Sequence, residues 1–217
     1  MQINHFIDHT LLAAHATTAE IEQLCAEAVQ YKFKAVCVNS SRIKLARKAL
    51  ITSDIKLAAT VGFPLGACST FTKITEAVQC VEDGADEIDM VMNVGLFKDG
   101  EYGKVLEEIT AIKKAIGNKV LKVIIETCYL TKEEIMKACE LAVEAKAGFV
   151  KTSTGFGSRG ASVNDIKLMK EAIGNKIKIK ASGGIKDIQT AKDYIALGVD
   201  RIGTSSGIRI VTGDSAS

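Results

Sequence analysis

Two hydrophobic rhythms alternate along the chain. Segments of 10 to 15 residues carry apolar side chains every three to four positions, the period of a helix with one buried face, and short β-branched runs stand between them. Those runs predict strands at Phe6 to Asp8, Ala35 to Val38, Lys56 to Val61, Glu87 to Met92, Val120 to Glu126, Phe149 to Thr152, Lys176 to Ala181 and Arg201 to Gly203. Seven helical segments are expected between them, and a short one after the last. Alternating strand and helix means parallel pairing, with the strands covered on both faces. Ala115-Ile116-Gly117-Asn118-Lys119 recurs as Ala172-Ile173-Gly174-Asn175-Lys176, each time with the Gly and Asn that favour a helix exit ahead of a strand. Eight such units in 217 residues fit a single (β/α)8 TIM barrel over residues 1–217, an α/β fold, with a short tail from about residue 211. A doubly wound open sheet is the competing arrangement.

Strands buried on both faces have no place for charge, so ionisable residues inside them need a reason. In Glu87-Ile88-Asp89-Met90-Val91-Met92 a period of two sets Asp89 opposite Ile88, Met90 and Met92. The apolar three would pack on helices, which aims Asp89 into the barrel. The same alternation puts Lys122 and Glu126 on one face of the fifth strand and Lys178 and Lys180 on one face of the seventh, while Lys151 lies near the end of the sixth. Two lysines and a carboxylate in one confined interior are either a structural ion network or a chemical device. Two cations about 5 Å apart at an effective dielectric of about 20 repel by roughly 3 kcal/mol, which helps one amine lose its proton and become a nucleophile. Lys178, two residues below Lys180, has no expected role beyond the barrel floor. Cys37, opposite Val36 and Val38, faces inward and either fills the barrel or lines its cavity, and Thr10, in the polar run Asp8-His9-Thr10, is a candidate lining residue.

Two glycine-rich turns follow strands. Ala181-Ser182-Gly183-Gly184-Ile185 comes after the seventh and Gly203-Thr204-Ser205-Ser206-Gly207-Ile208 after the eighth, opening a short helix. Bare amides beside small hydroxyls at a helix start bind phosphate, and barrels often build that site from their last two loops. Either turn alone could be a tight connection. As a pair they predict phosphate held at Gly183, Gly184, Gly203, Thr204, Ser205 and Ser206. The histidines His5, His9 and His15 lie near Asp8, but no second ligand cluster completes a metal site, and no metal is expected. No dinucleotide or Walker motif is present.

Charge narrows the partners. With 28 basic and 26 acidic side chains, scattered rather than clustered, the net charge of +2 offers no footprint for nucleic acid or an anionic membrane, so any anionic ligand must be small. No apolar run approaches the roughly 20 residues of a bilayer span, and the opening residues lack a basic stretch followed by an apolar core. A cytoplasmic protein is expected, its six cysteines, without a Cys-x-x-Cys pair, being reduced thiols.

Taken together, the segments Asp8-His9-Thr10-Leu11-Leu12, Val61-Gly62-Phe63-Pro64-Leu65-Gly66, Glu87-Ile88-Asp89-Met90-Val91, Lys122-Val123-Ile124-Ile125-Glu126-Thr127, Phe149-Val150-Lys151-Thr152-Ser153-Thr154-Gly155, Lys178-Ile179-Lys180-Ala181-Ser182-Gly183-Gly184 and Gly203-Thr204-Ser205-Ser206 resemble the deoxyribose-phosphate aldolase family of class I, Schiff-base aldolases. The resemblance covers nearly the whole chain. It implies Lys151 as the Schiff-base lysine, Lys180 as the lysine that perturbs it, Asp89 as a proton relay, and Thr154 and Gly155 as substrate contacts, with no cofactor. The implied reaction is reversible cleavage of 2-deoxy-D-ribose 5-phosphate to acetaldehyde and D-glyceraldehyde 3-phosphate, and the implied assembly is a homodimer or higher homo-oligomer. Two departures stand out. Phe156 occupies the position where some members carry a phosphate-holding lysine, leaving the cradle to neutral donors. Some members also carry a tyrosine in a longer tail, whereas this sequence closes on Asp214-Ser215-Ala216-Ser217 and its last tyrosine is Tyr194. Another Schiff-base aldolase of short sugar phosphates, or a catalytically silent phosphate-binding barrel, is the alternative reading.

Overall fold

A computed structural model describes residues 2–213. Eight parallel strands, β1 (Ile7–Leu11), β2 (Ala35–Asn39), β3 (Lys56–Val61), β4 (Glu87–Val91), β5 (Val120–Ile124), β6 (Phe149–Lys151), β7 (Lys178–Ser182) and β8 (Arg201–Thr204), pair in chain order, and β8 returns to β1. The barrel is closed, which makes the fold a (β/α)8 barrel and removes the open-sheet alternative. Its helices are α1 (Thr18–Gln30), α2 (Ile43–Ala49), α3 (Thr70–Glu82), α4 (Val94–Lys98), α5 (Tyr102–Ala115), α6 (Lys132–Glu144), α7 (Val163–Ile173), α8 (Ile188–Ala196) and α9 (Gly207–Thr212). The expected tail thus begins inside α9, and its end, residues 214–217, lies outside the described residues.

Local chemistry explains the boundaries. Thr17 and Thr131 open α1 and α6 through reciprocal caps with Glu20 and Glu134, while Ser69, Ser162 and Asp187 cap α3, α7 and α8. The single helix expected between β4 and β5 is two, because the chain breaks after Lys98 and passes through Gly100 at φ +77°. β1 starts later than expected, since Ile3–Phe6 form a 3₁₀ turn, and it carries the polar residues Asp8, His9 and Thr10. β7 is shifted from Lys176 to Lys178. β5 ends at Ile124, and Glu126 stands beyond it in the left-handed region at φ +52°.

The outward strand residues, Val36, Leu57, Ile88, Met90, Val123 and Ile179 among them, join the helices in one continuous apolar core. That outer layer contains one buried ion pair. Lys73 of α3, fully buried, donates to Glu108 Oε1 of α5 at 2.8 Å and to the carbonyl of Val91 at 2.9 Å, while the same carboxylate oxygen accepts the Asn93 amide at 3.0 Å. The pair fastens the C-terminal end of β4 to two helices. Removing one partner strands a buried charge, so Lys73→Met is expected to lower stability by about 3 to 5 kcal/mol in urea unfolding. Adding Glu108→Gln, which keeps an acceptor for Asn93, should recover most of that loss; a double variant as unstable as the single would show that packing, not the stranded charge, is responsible.

Candidate active site

Strand register decides which charges meet. Asp89 lies opposite Lys122, Lys151 opposite Lys180, and Lys180 opposite Arg201, so inward-facing ionisable residues become neighbours around the barrel. At the floor Arg201 holds Glu87 at 2.6 Å and Asp8 at 2.5 Å. Lys122 sits at their centre, 2.5 Å from Glu87 and 2.6 Å from Asp89 Oδ1, with Asp8 at 3.9 Å. Lys180 bridges Asp8 at 2.5 Å and Asp89 Oδ2 at 2.7 Å. Lys151 completes the ladder, its Nζ 2.9 Å from the same Asp89 Oδ2. These seven residues comprise four cations and three carboxylates, all buried.

The excess positive charge falls on one member. Burial works against every ionised group here, and partners must outweigh it. For Asp89, burial is overcome by Lys122, Lys151 and Lys180, which hold its carboxyl well below the usual range; for Asp8, Arg201, Lys180 and Lys122 do the same. Lys180 is raised above an ordinary lysine because Asp8 and Asp89 outweigh its burial, and Lys122 is raised by Asp89 and Glu87. Arg201 is raised likewise by Asp8 and Glu87. Lys151 alone among these cations moves down: burial, reinforced by the charge of Lys180, outweighs the pull of Asp89. Loss of a proton from Lys151 would leave three cations facing three carboxylates.

Above the ladder opens a cavity of about 570 Å³, the size of a small-molecule site. Of the seven network residues only Lys151 reaches its wall. Thr10, Thr154, Gly155, Gly183, Gly184, Gly203, Thr204, Ser205 and Ser206 line it too, so the two glycine-rich turns and the segment after Lys151 converge on one space. Asp89 lies beneath Lys151 and meets its amine, and Lys180 meets the same Asp89 oxygen.

Several expectations need correction. Of the two readings of Cys37, the filling one matches its place: it faces inward, fully buried below the cavity, its Sγ 4.0 Å from Asp89, and burial raises its thiol pKa. Thr154 lines the cavity, yet its amide and hydroxyl both donate to Glu126, and its hydroxyl accepts the Phe156 amide at 3.0 Å, so its polar atoms are already committed. The Ser206 amide is likewise taken by the Thr204 hydroxyl at 2.9 Å. Glu126 does not join the lysines, because the chain leaves the strand before reaching it. Lys178 is exposed at the barrel floor, 5.8 Å from the centre of the Phe149 ring. Phe156 offers no charge and stands edge-on to Phe63 at 5.3 Å, but Lys186 lines the same cavity, so the cradle is not purely neutral.

Sequence reasoning missed the lower half of the ladder. Glu87 and Arg201, the first residues of their strands, have no expected role, and Asp8 reads as part of a polar lining. Parity could have found Glu87, which shares the face of Asp89. Among the described residues no group of three or more His, Cys, Asp or Glu side chains could hold a metal ion, and no helix is long and apolar enough to cross a membrane.

Comparison with known proteins places this geometry in context. A family model described as DeoC/LacD family aldolase matches residues 3–211. The chain is 54% identical over 213 residues to a deoxyribose-phosphate aldolase of Finegoldia magna, covering 98% of this chain and 100% of that one. Among solved structures, QR15, an aldolase, superposes with a TM-score of 0.94 at 44% identity, covering 97% of this chain and 95% of that one. A tetrameric deoxyribose phosphate aldolase from Aeropyrum pernix superposes with a TM-score of 0.89 at 28% identity, covering 97% of this chain and 90% of that one.

The lowered pKa values of Asp8 and Asp89 make stability pH-dependent in one direction. A carboxyl held lower in the folded state contributes stability above its unfolded value of about 4, and loses it as pH falls through the folded value. Urea unfolding midpoints should stay nearly level from about pH 7 to pH 5 and fall steadily below about pH 4. A midpoint unchanged down to pH 2 would mean that these carboxylates gain nothing by folding.

Proposed function

Since the chain belongs to the DeoC/LacD aldolase family, we propose that it is a class I aldolase that reversibly cleaves 2-deoxy-D-ribose 5-phosphate to acetaldehyde and D-glyceraldehyde 3-phosphate through a Schiff base on Lys151. The observation that carries this reading is the uneven ladder: four cations share three carboxylates, and the one cation whose pKa falls is also the one that reaches the cavity. A neutral amine is a nucleophile, and it is offered to substrate at a single point.

Lys151 Nζ adds to the C1 aldehyde of the open-chain sugar, and loss of water gives an iminium. The C2–C3 bond then breaks, its electrons moving into the iminium, while the C3 hydroxyl gives up its proton as C3 becomes the new aldehyde. The enamine left on Lys151 takes a proton at carbon, and water releases acetaldehyde. Asp89 Oδ2, 2.9 Å from the amine and 2.7 Å from Lys180 Nζ, is the carboxylate that meets the Lys151 nitrogen. It accepts and returns protons through a water or a substrate hydroxyl, with Lys180 as the neighbouring donor. The same excess charge that favours a neutral amine favours collapse of the cationic iminium to the neutral enamine, so the resting-state and bond-breaking demands coincide. The substrate phosphate is assigned to the Gly183–Gly184 and Gly203–Ser206 turns, with Lys186 at the rim. The homo-oligomer implied by the family resemblance is proposed likewise, with the tetramer from Aeropyrum pernix in its support.

Borohydride reduction with acetaldehyde, followed by peptide mass mapping, tests the nucleophile. The adduct should map to Lys151, and Lys151→Ala should lose both adduct and turnover while still folding. Lys180→Leu removes the cation that helps keep Lys151 neutral, so adduct formation should require higher pH. An adduct on Lys180, or an unchanged pH profile in Lys180→Leu, would overturn these roles.

Ser205→Glu places a bulky anion in the β8 turn and should raise KM for the phosphorylated sugar by at least about tenfold, or roughly 1.4 kcal/mol. Cleavage of unphosphorylated deoxyribose should change far less. Equal losses on both substrates would mean that the turn supports the barrel mouth without recognising phosphate.

A further inference from the structure

The segment between β6 and α7 doubles back across the end of β7. The Ala161 amide donates to the Ser182 carbonyl at 3.0 Å, and the Tyr194 hydroxyl of α8 donates to the Ala161 carbonyl at 2.9 Å. On the other side the Arg159 guanidinium binds Asp165 and the Thr127 carbonyl. Between these ties Gly160 rests directly on Gly183, backbone against backbone. A Cβ on Gly160 would overlap the Gly183 carbonyl and come within 2.7 Å of Gly183 Cα, and a Cβ on Gly183 would come within 2.8 Å of Gly160 Cα. Gly160 is not in the left-handed region, so the Gly183 carbonyl, and not its own backbone angle, is what excludes a side chain there.

A Cβ on Gly160 would meet the Gly183 carbonyl oxygen and carbon almost equally closely, so the Gly183–Gly184 peptide lies side-on against Gly160. In a planar trans peptide the C=O and the following N–H are fixed relative to one another, so whatever holds the carbonyl also holds the amide. Gly183 and Gly184 both line the cavity, Gly160 does not, and the Gly184 N–H has no protein acceptor among the described residues. Both glycines keep positive φ, +84° and +76°, a pairing that other residues adopt only under strain.

We propose that Gly160 is a positioning residue for anion recognition: its missing side chain sets the Gly183–Gly184 peptide plane so that the Gly184 amide faces the substrate's phosphate. The inference rests on the phosphate reading above. A methyl group at Gly160 must push the Gly183 carbonyl away and rotate that peptide, while Lys151, Asp89 and Lys180 lie on other residues and keep their contacts.

The test is steady-state cleavage of 2-deoxyribose 5-phosphate and of unphosphorylated deoxyribose by the parent and by Gly160→Ala, together with competitive inhibition by inorganic phosphate. Gly160→Ala should raise KM for the phosphorylated sugar and Ki for inorganic phosphate by the same factor, about tenfold. Its kcat, its borohydride-trapped acetaldehyde adduct and its action on deoxyribose should stay within about twofold of the parent. Tyr194→Phe, which frees the Ala161 carbonyl without adding bulk, should shift the same two constants by about threefold, and it decides the question if Gly160→Ala does not fold. Losses equal on both substrates, or a phosphate Ki unmoved in the variants, would overturn the inference while leaving the phosphate reading intact. A parent enzyme that treats both substrates alike would overturn the phosphate reading, and this inference with it.

Discussion

Charge balance in a closed, water-poor interior is the constraint on which the rest of this molecule depends. Each buried ion must find a counter-ion or give up its charge. Arg201, Lys122 and Lys180 find theirs in Glu87, Asp8 and Asp89, and once those three are matched Lys151 has only a share of Asp89. The reactivity of Lys151 is thus a property of the whole ladder. It needs no special feature of its own beyond the place where β6 ends.

The outer layer serves that interior. Asp89 can hold its position only if β4 does, and the far end of β4 is tied down by Lys73 and Glu108 through Val91 and Asn93. The register of the eight strands then fixes the vertical spacing, since Lys151 and Lys180 are opposite one another on adjacent strands. The mouth is held by a different device, loops packed backbone on backbone. In the proposed function stiff strands hold the proton-carrying groups and close-packed turns hold the recognition site.

The fold was legible because it repeats: the alternation of periods names eight strands, and the inward aim of Asp89 and Lys180 follows from counting by two. Lys151 was legible only by its place near the end of the sixth strand, and its expected role came from the family resemblance. What stayed hidden depends on three dimensions. Arg201 and Glu87 look like ordinary polar strand ends until the barrel closes and brings β4 and β8 to the same floor. Cys37 has the right parity for a lining residue, but parity tells the face and not the depth, and it lies under the cavity. Thr154 and Ser206 sit where expected, yet Glu126 had already claimed the Thr154 amide and hydroxyl and Thr204 the Ser206 amide, which no one-dimensional pattern records.

The depth of the ladder also bears on the enzyme's own durability. An aldehyde condenses with any unprotonated amine it can touch, and a protein that handles aldehydes is exposed to them at high local concentration. Lys122 and Lys180 are shut away under Lys151, and each is held more firmly protonated than a lysine in water. An aldehyde in the cavity therefore meets one amine of the ladder, Lys151, which on the proposed mechanism releases its cargo at the end of each cycle. The interior is in this sense self-protecting, because the arrangement that activates one amine passivates its neighbours.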